Sequence, residues 1–371
     1  QLNERLNAKV EIKEVQFSLF QHFPQASVRL IQVKAGHAQF KAPGHLLDVG
    51  HIDLTFNLFA LWNGNYAIRK VEIADGKLQL FTNREGNTDF NLFKPASGND
   101  DEAFSLSIDQ IVGRNLDFIY KDEKNNIEAI GHSEATELSG LFSAREYQLD
   151  ITADMQMDVF RSAEVVWIKK RPVGLDFSLN VSKPQKTYSF KEGTLRIAEL
   201  ELGVEGIYSD TNPGKYQFRL NGMNLDVNTT LSLLPEKYQE SVKNYTGTGK
   251  FYGEAWIRQA DHPGGEPDIK AEFGVENGTV THKPSGVELR SLNLKGNLAD
   301  NQLKLTGVNM LLKGQKISGW CTLSDLSNPR ISLKTDAVLN LADLGAFLDL
   351  KQFEDLRGMA ELHLDLKTSA T

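Results

Sequence analysis

The sequence predicts an all-β fold: an elongated, curved, mainly antiparallel repeat sheet with a U-shaped apolar groove and one or two short capping helices. Three observations carry this. Apolar residues alternate along most of the chain, the alternation slips by one at recurring places, and only two stretches show a helical period. Alternation with period two puts every second side chain on one face of a sheet.

The slip is the most informative feature. Val10 and Ile12 are followed by Val15, Phe17 and Leu19; Leu47 and Val49 by Ile52, Leu54 and Phe56; Ile68 by Val71 and Ile73. Similar steps run from Leu30 to Val33, Ile108 to Ile111 and Leu289 to Leu292. A two-residue gap keeps one face apolar only if the strand absorbs an extra residue, and a bulge is the expected device. Strands that bend at matching places suggest one repeated element.

Turn chemistry separates the alternating runs. Asp75-Gly76, Glu85-Gly86-Asn87, Glu192-Gly193, Pro213-Gly214, Asn221-Gly222, Asn277-Gly278 and Lys313-Gly314 are all expected as hairpin turns. The acidic stretch from Ser97 to Glu102 reads as a loop between blocks. Helices are expected over Thr229 to Val242, capped by Asn228 or Thr229, and over Leu341 to Leu356, with shorter pieces at Leu2 to Leu6 and Leu58 to Trp62. Each long helix leads through a glycine, Gly249 or Gly358, into a strand, which reads as a multi-strand module closed by a helix. The expected blocks are 1–96, 103–228 and 229–371 of a continuous sheet.

Composition excludes several classes. With 24% charged and 40% hydrophobic residues, and only short apolar runs, nothing in the chain matches the ~20 residues of a membrane-spanning helix. A net charge of -8 argues against a nucleic-acid groove, and the run Lys169, Lys170, Arg171 is too short to change that. The single cysteine, Cys321, rules out an intramolecular disulfide and reads as a small buried strand residue. The chain opens on Gln1 and closes in the strand pattern Leu362, Leu364, Leu366, so both ends read as cut and a signal peptide or anchor is expected upstream.

Chemistry-bearing motifs are scarce. His37, His45 and His51 fit no compact ligand spacing, and Asn83 to Asp89 lacks the terminal glutamate of a calcium loop and reads as a turn. Gly247, Gly249 and Gly253 follow a helix and enter a strand, the reverse of a dinucleotide site. Asp150, Asp154 and Asp158 read as the solvated side of strands, and Trp62, Trp167, Trp256 and Trp320 are too scattered for a sugar platform. No catalytic residue, metal ligand or cofactor is expected.

Residues 2–20 followed by Phe23-Pro24, then Ile68 to Leu80 and Asn83 to Phe90, resemble the start of the mature part of AsmA-family proteins. Asn277-Gly-Thr-Val, Leu289 to Leu294 and Ile317-Ser-Gly319 resemble the repeating module toward the other end of such proteins. The resemblance implies a periplasmic protein of the diderm envelope, anchored to the inner membrane by an upstream helix and related to bridge-like lipid-transfer proteins.

The apolar stripe by itself fits two architectures, the core of a two-sheet sandwich or an open groove for acyl chains; the repeated slip and the capped repeat favour the groove. The expected lining is Val10, Ile12, Val15, Phe17, Leu54, Phe56, Ile73, Leu78 and Leu80, with Lys9, Glu11 and Lys13 on the wet side. The expected partner is a phospholipid or other acyl lipid, moved toward the outer membrane without enzymatic chemistry. The competing expectation is an assembly factor that offers strand edges to outer-membrane or periplasmic proteins.

Overall fold

The computed structural model describes residues 8–22, 25–37, 44–57, 68–89, 108–140, 145–162, 165–210, 214–232, 239, 242–259, 267–325, 330–341 and 358–369. The chain divides into two units, Gln1–Ala198 and Glu199–Thr371. Both are all-β and mainly antiparallel.

The first unit is a nine-stranded sheet: β1 (Val10–His22), β2 (Gln25–Ala35), β3 (Leu47–Asn57), β4 (Ile68–Thr82), β5 (Ile108–Asp122), β6 (Ile127–Gly140), β7 (Glu146–Ser162), β8 (Val165–Ser182) and β9 (Thr187–Ile197). Strands pair in chain order, antiparallel except β4 with β5, which run parallel with Ile68 beside Ile108. Described pairings leave β1 and β9 of this unit unjoined to each other, so the sheet does not close on itself.

The second unit holds β10 (Leu200–Ser209), β11 (Lys215–Asp226), helix α1 (Val227–Ser232), β12 (Tyr245–Arg258), β13 (Asp268–His282), β14 (Val287–Ala299), β15 (Gln302–Leu312), β16 (Gln315–Ser324), β17 (Arg330–Asn340) and β18 (Met359–Ser369). Consecutive strands again pair antiparallel. Helix α1 is capped by Asp226, not by the expected Asn228 or Thr229: Thr229 N donates to Asp226 Oδ1 at 2.8 Å. Asn228 is diverted, because its Oδ1 accepts from Gly247 N at 2.6 Å and ties the helix to β12. No helix among the described residues is long and apolar enough to cross a membrane.

At Ile68 to Val71 the slip is the expected bulge, since Thr55 pairs with Lys70 and Phe56 with Ile68, but further along β2 to β5 it takes a different form. Ile31 faces His51 and Val33 faces Val49, so no residue is added between β2 and β3. Gln32, Asp75 and Asn115 instead adopt left-handed backbone, with φ of 49°, 61° and 51°. Together with Gly50 they occupy one rung across β2 to β5. A left-handed residue turns the following peptide over, which reverses the side-chain parity without changing register. The apolar face therefore survives the crease: Val33, Val49 and Leu116 form one buried cluster with Leu30, Ile52 and Ile73 from its other side.

In the second unit the slip does add residues. Register shifts separate Thr248 from Lys250, Val275 from Gly278, and Arg290 from Asn293. Asn224, Gly249, Asn277, Ser291 and Gly307 hold positive φ there on successive strands β11 to β15.

This crease also corrects four expected turns. Asp75-Gly76, Glu192-Gly193, Asn221-Gly222 and Asn277-Gly278 lie inside β4, β9, β11 and β13. Asp75 and Asn277 supply positive φ to a crease rather than to a chain reversal, and the glycines let the neighbouring backbone approach. At Gly76 a Cβ would sit 2.6 Å from Val49 Cα on the opposing strand. The turns at Gly86 and at Lys313-Gly314 are found as expected, the latter with φ of 46° and 85°. Gly214 also falls between strands. Gly249 lies within β12 rather than ahead of it, whereas Gly358 does precede β18.

The loop at Ser97 to Glu102 and the helical pieces at Leu2 to Leu6 and Leu58 to Trp62 lie outside the described residues. So do most of Leu341 to Leu356 and residues 233–238.

Candidate functional site: an uncovered apolar face

Cross-strand register assembles the apolar side chains into rows. In the first unit Phe17, Val28, Leu54, Val71, Ile111, Leu138, Ile151 and Phe177 stand side by side across β1 to β8. Seven strand-to-strand steps of ~4.8 Å give a row of about 34 Å along the sheet. On the far side of the crease Ile12, Val33, Val49, Gly76 and Leu116 continue the same face. The second unit repeats the arrangement with Val204, Leu220, Ala255, Ala271, Leu298, Leu303, Leu323 and Ile331 across β10 to β17.

Nothing described packs over the row from Phe17 to Phe177, whereas beyond the crease Val33, Val49 and Leu116 are buried in a cluster of their own. Within each unit, substantial contacts among the described residues join only neighbouring strands, plus α1 with β11 and β12. The interlocked second layer of a sandwich is thus not found among them. Exposure follows: Val15 and Phe17 are 45% and 73% exposed, and most other row members are half-buried. For apolar residues on a folded sheet, that is surface left unspent by folding.

All nine side chains expected to line the face are brought to it by the register. Val10 and Ile12 oppose Ala35 and Val33, and Val15 and Phe17 oppose Leu30 and Val28. Leu54 opposes Val71, Phe56 opposes Ile68 and Ile73 opposes Ile52. Leu78 and Leu80 lie beside Phe118 and Tyr120. The sequence reading overlooked Leu138, Ile151, Phe177, Phe218 and Phe273. Their strands alternate as well, as in Tyr147, Leu149, Ile151, Ala153 and Met155.

The opposite face is a lattice of charges. Arg29 donates two hydrogen bonds to Asp53, at 2.7 and 2.6 Å, which hold its guanidinium above the ordinary arginine value. Lys34 pairs with Asp48 at 3.0 Å, and His132 with Asp117 at 2.9 Å. Asp150 accepts from Ser178 and Gln148, which pull its carboxyl below the usual range. A shallow depression of about 810 Å³ on this side is lined by Gln16, Ser27, Arg29, Asp53, Thr55 and Lys70. Phe17 also lines it, so the depression is mainly but not wholly polar.

His51, Asp53 and Glu72 come within 4.8 Å of one another, a grouping not foreseen from sequence. Arg29 occupies Asp53, while Lys70 and Arg114 approach Glu72 at 2.5 and 3.5 Å. These carboxylates already have cationic partners, so the cluster reads as an ion-pair network. His37 goes elsewhere: it is buried against Asp89, which also accepts from Phe81 N at 2.9 Å. That pairing closes the turn at Asn83 to Asp89, where Asn87 N donates to Asn83 Oδ1 at 2.8 Å.

Cys321 is free and half-buried on β16, between Leu305 and Leu333 of the neighbouring strands. Burial pushes its thiol pKa up. Its row runs Gly222, Gly253, Phe273, Gly296, Leu305, Cys321, Leu333 and Leu366.

Fold and site together define a class: all-β sheets, polar on one face, with apolar rows on the other that no described element covers. Comparison with family models, curated proteins and solved structures finds no match.

Proposed function

We propose that the apolar face holds the acyl chains of a lipid and shields them from water, without covalent chemistry. The observation that carries this reading is the row from Phe17 to Phe177, free of ionisable side chains across eight strands and covered by no described element. At ~0.8 kcal/mol per methylene, a chain of about 16 carbons gains on the order of 13 kcal/mol by leaving water, so it needs unbroken apolar surface. A row of about 34 Å exceeds the depth of one bilayer leaflet, roughly half of the ~30 Å hydrocarbon core. No charged side chain falls within that row, so a chain lying along it meets no ionisable group to bury.

The resemblance to the AsmA family supports the same reading and adds its setting. Within this proposal the protein is a periplasmic, inner-membrane-anchored lipid carrier that contributes to phospholipid transport toward the outer membrane.

The test is organic extraction of the purified protein and mass spectrometry of the extract. Phospholipid is expected in near-stoichiometric amount with the natural sequence and is expected to be lost in Phe17→Asp and Phe56→Asp. An extract without lipid, from protein that also fails to take up oleate, sinks the proposal. Stable self-association through the apolar face would identify that face as an interface between copies instead.

A further inference from the structure

At three places a phenylalanine on the apolar face lies across a glycine of the next strand. Phe118 directly opposes Gly131, Phe218 opposes Gly206, and Phe273 opposes Gly296. In each pair a Cβ on the glycine would collide with the ring. The ring fills the space of the missing side chain, and Gly131 and Gly296 are buried. Strand side chains ordinarily stand roughly perpendicular to the sheet, whereas these rings lean along it onto a neighbour.

Nearby rings pack in pairs. Phe251 and Phe273 have centroids 5.9 Å apart with planes 28° apart, and Tyr216 and Phe218 are 5.5 Å and 18° apart. Phe177 and Phe190 are 5.4 Å apart at 30°.

We propose that these recumbent rings set the depth available above the sheet, and that the glycines are positioning residues which keep the rings down so that an acyl chain fits. The inference rests on the acyl-chain reading above. It separates two things that composition merges: an apolar face with upright aromatics would be equally greasy but shallower.

Gly296 is the cleanest place to test this. The three nearest atoms an added Cβ would meet there all belong to the Phe273 ring, while at Gly131 and Gly206 backbone oxygens of Gln156 and Gln217 also intrude. The polar face supplies a control, because Tyr252 covers Gly274 in the same manner. Cys321, the only cysteine, lies two strands from Gly296 in the same row and reports occupancy through its alkylation by a maleimide.

With oleate as the probe, the natural protein is expected to show slowed alkylation of Cys321. Gly296→Val is expected to raise the half-protecting oleate concentration roughly tenfold, the scale of misfitting a methylene or two in an apolar site. Gly274→Val should leave that concentration unchanged. Adding Phe273→Ala to Gly296→Val should restore protection, because the ring is the obstruction. If Gly296→Val does not fold, Gly296→Ala makes the same collision with a smaller group. Equal protection in natural and Gly296-substituted protein, or no recovery on removing Phe273, overturns this inference alone. No protection in the natural protein overturns the acyl-chain reading first, and this one with it.

Discussion

Asn115 donates from Nδ2 to Asp75 Oδ1 at 2.7 Å, and both residues hold left-handed backbone, with φ of 51° and 61°. They sit on one rung of β4 and β5, the parallel strand pair of the first unit. Asn and Asp tolerate this conformation better than other non-glycine residues, since their short polar side chains bond locally. Here each satisfies the other across the strands, at the point where the apolar alternation reverses parity.

Asn115→Val should therefore destabilise the first unit by about 1–3 kcal/mol, because a β-branched residue in this region is strained and the bond to Asp75 is lost. The same substitution at Asp117, two residues on and exposed, should cost far less. Denaturant unfolding of the two variants checks this; equal midpoints would show that the crease does not depend on the left-handed residue.

Gly76 should tolerate no side chain. A Cβ there would press on Asp48 and Val49 of β3, and backbone cannot move aside as a flexible side chain can. Gly76→Ala should cost about 2 kcal/mol or more and lower the thermal midpoint. A variant as stable as the natural protein would mean that β3 and β4 stand further apart than described.

Exposure separates residues that hold the sheet from residues free for a ligand. Leu116, 9% exposed, belongs to the buried cluster with Val33 and Val49, so Leu116→Ala should cost about 2–5 kcal/mol. Phe17, 73% exposed, should lose little stability as Ala yet bind oleate more weakly. Paired unfolding and binding measurements decide it, and loss of stability at Phe17 with unchanged binding would contradict the assignment.

His363 lies beside Asp336 on β17, with Nδ1 2.7 Å from Oδ1, and Nε2 3.3 Å from Glu361. Hydrogen bonds to these carboxylates raise its pKa above the ordinary histidine value. A raised folded-state pKa stabilises the sheet below the unfolded imidazole pKa, and that support fades as pH climbs through the folded value. Since the group is exposed, the effect on stability is slight, and the readout is the titration itself. Proton NMR of the imidazole should show a lower pKa in Asp336→Asn; an unchanged value would mean the pair does not form in solution.

Much of the fold is legible along the chain. Val10, Ile12, Val15 and Phe17 display both the alternation and its slip, and the cluster joining Leu30 to Val33 shows that one face survives the slip. Asp75-Gly76 and Asn277-Gly278 mislead because a reversal and a crease ask for the same chemistry, positive φ and no bulk. Local sequence does not say whether the chain folds back afterwards or goes on.

What the sequence determined by itself is the face each side chain takes, since period-two alternation is a property of the extended backbone and needs no partner strand. Only the tertiary structure decided that the left-handed residues share a rung, that β4 and β5 run parallel, and that no described layer covers the rows. Those depend on pairings between residues far apart in the chain, which a local pattern cannot encode.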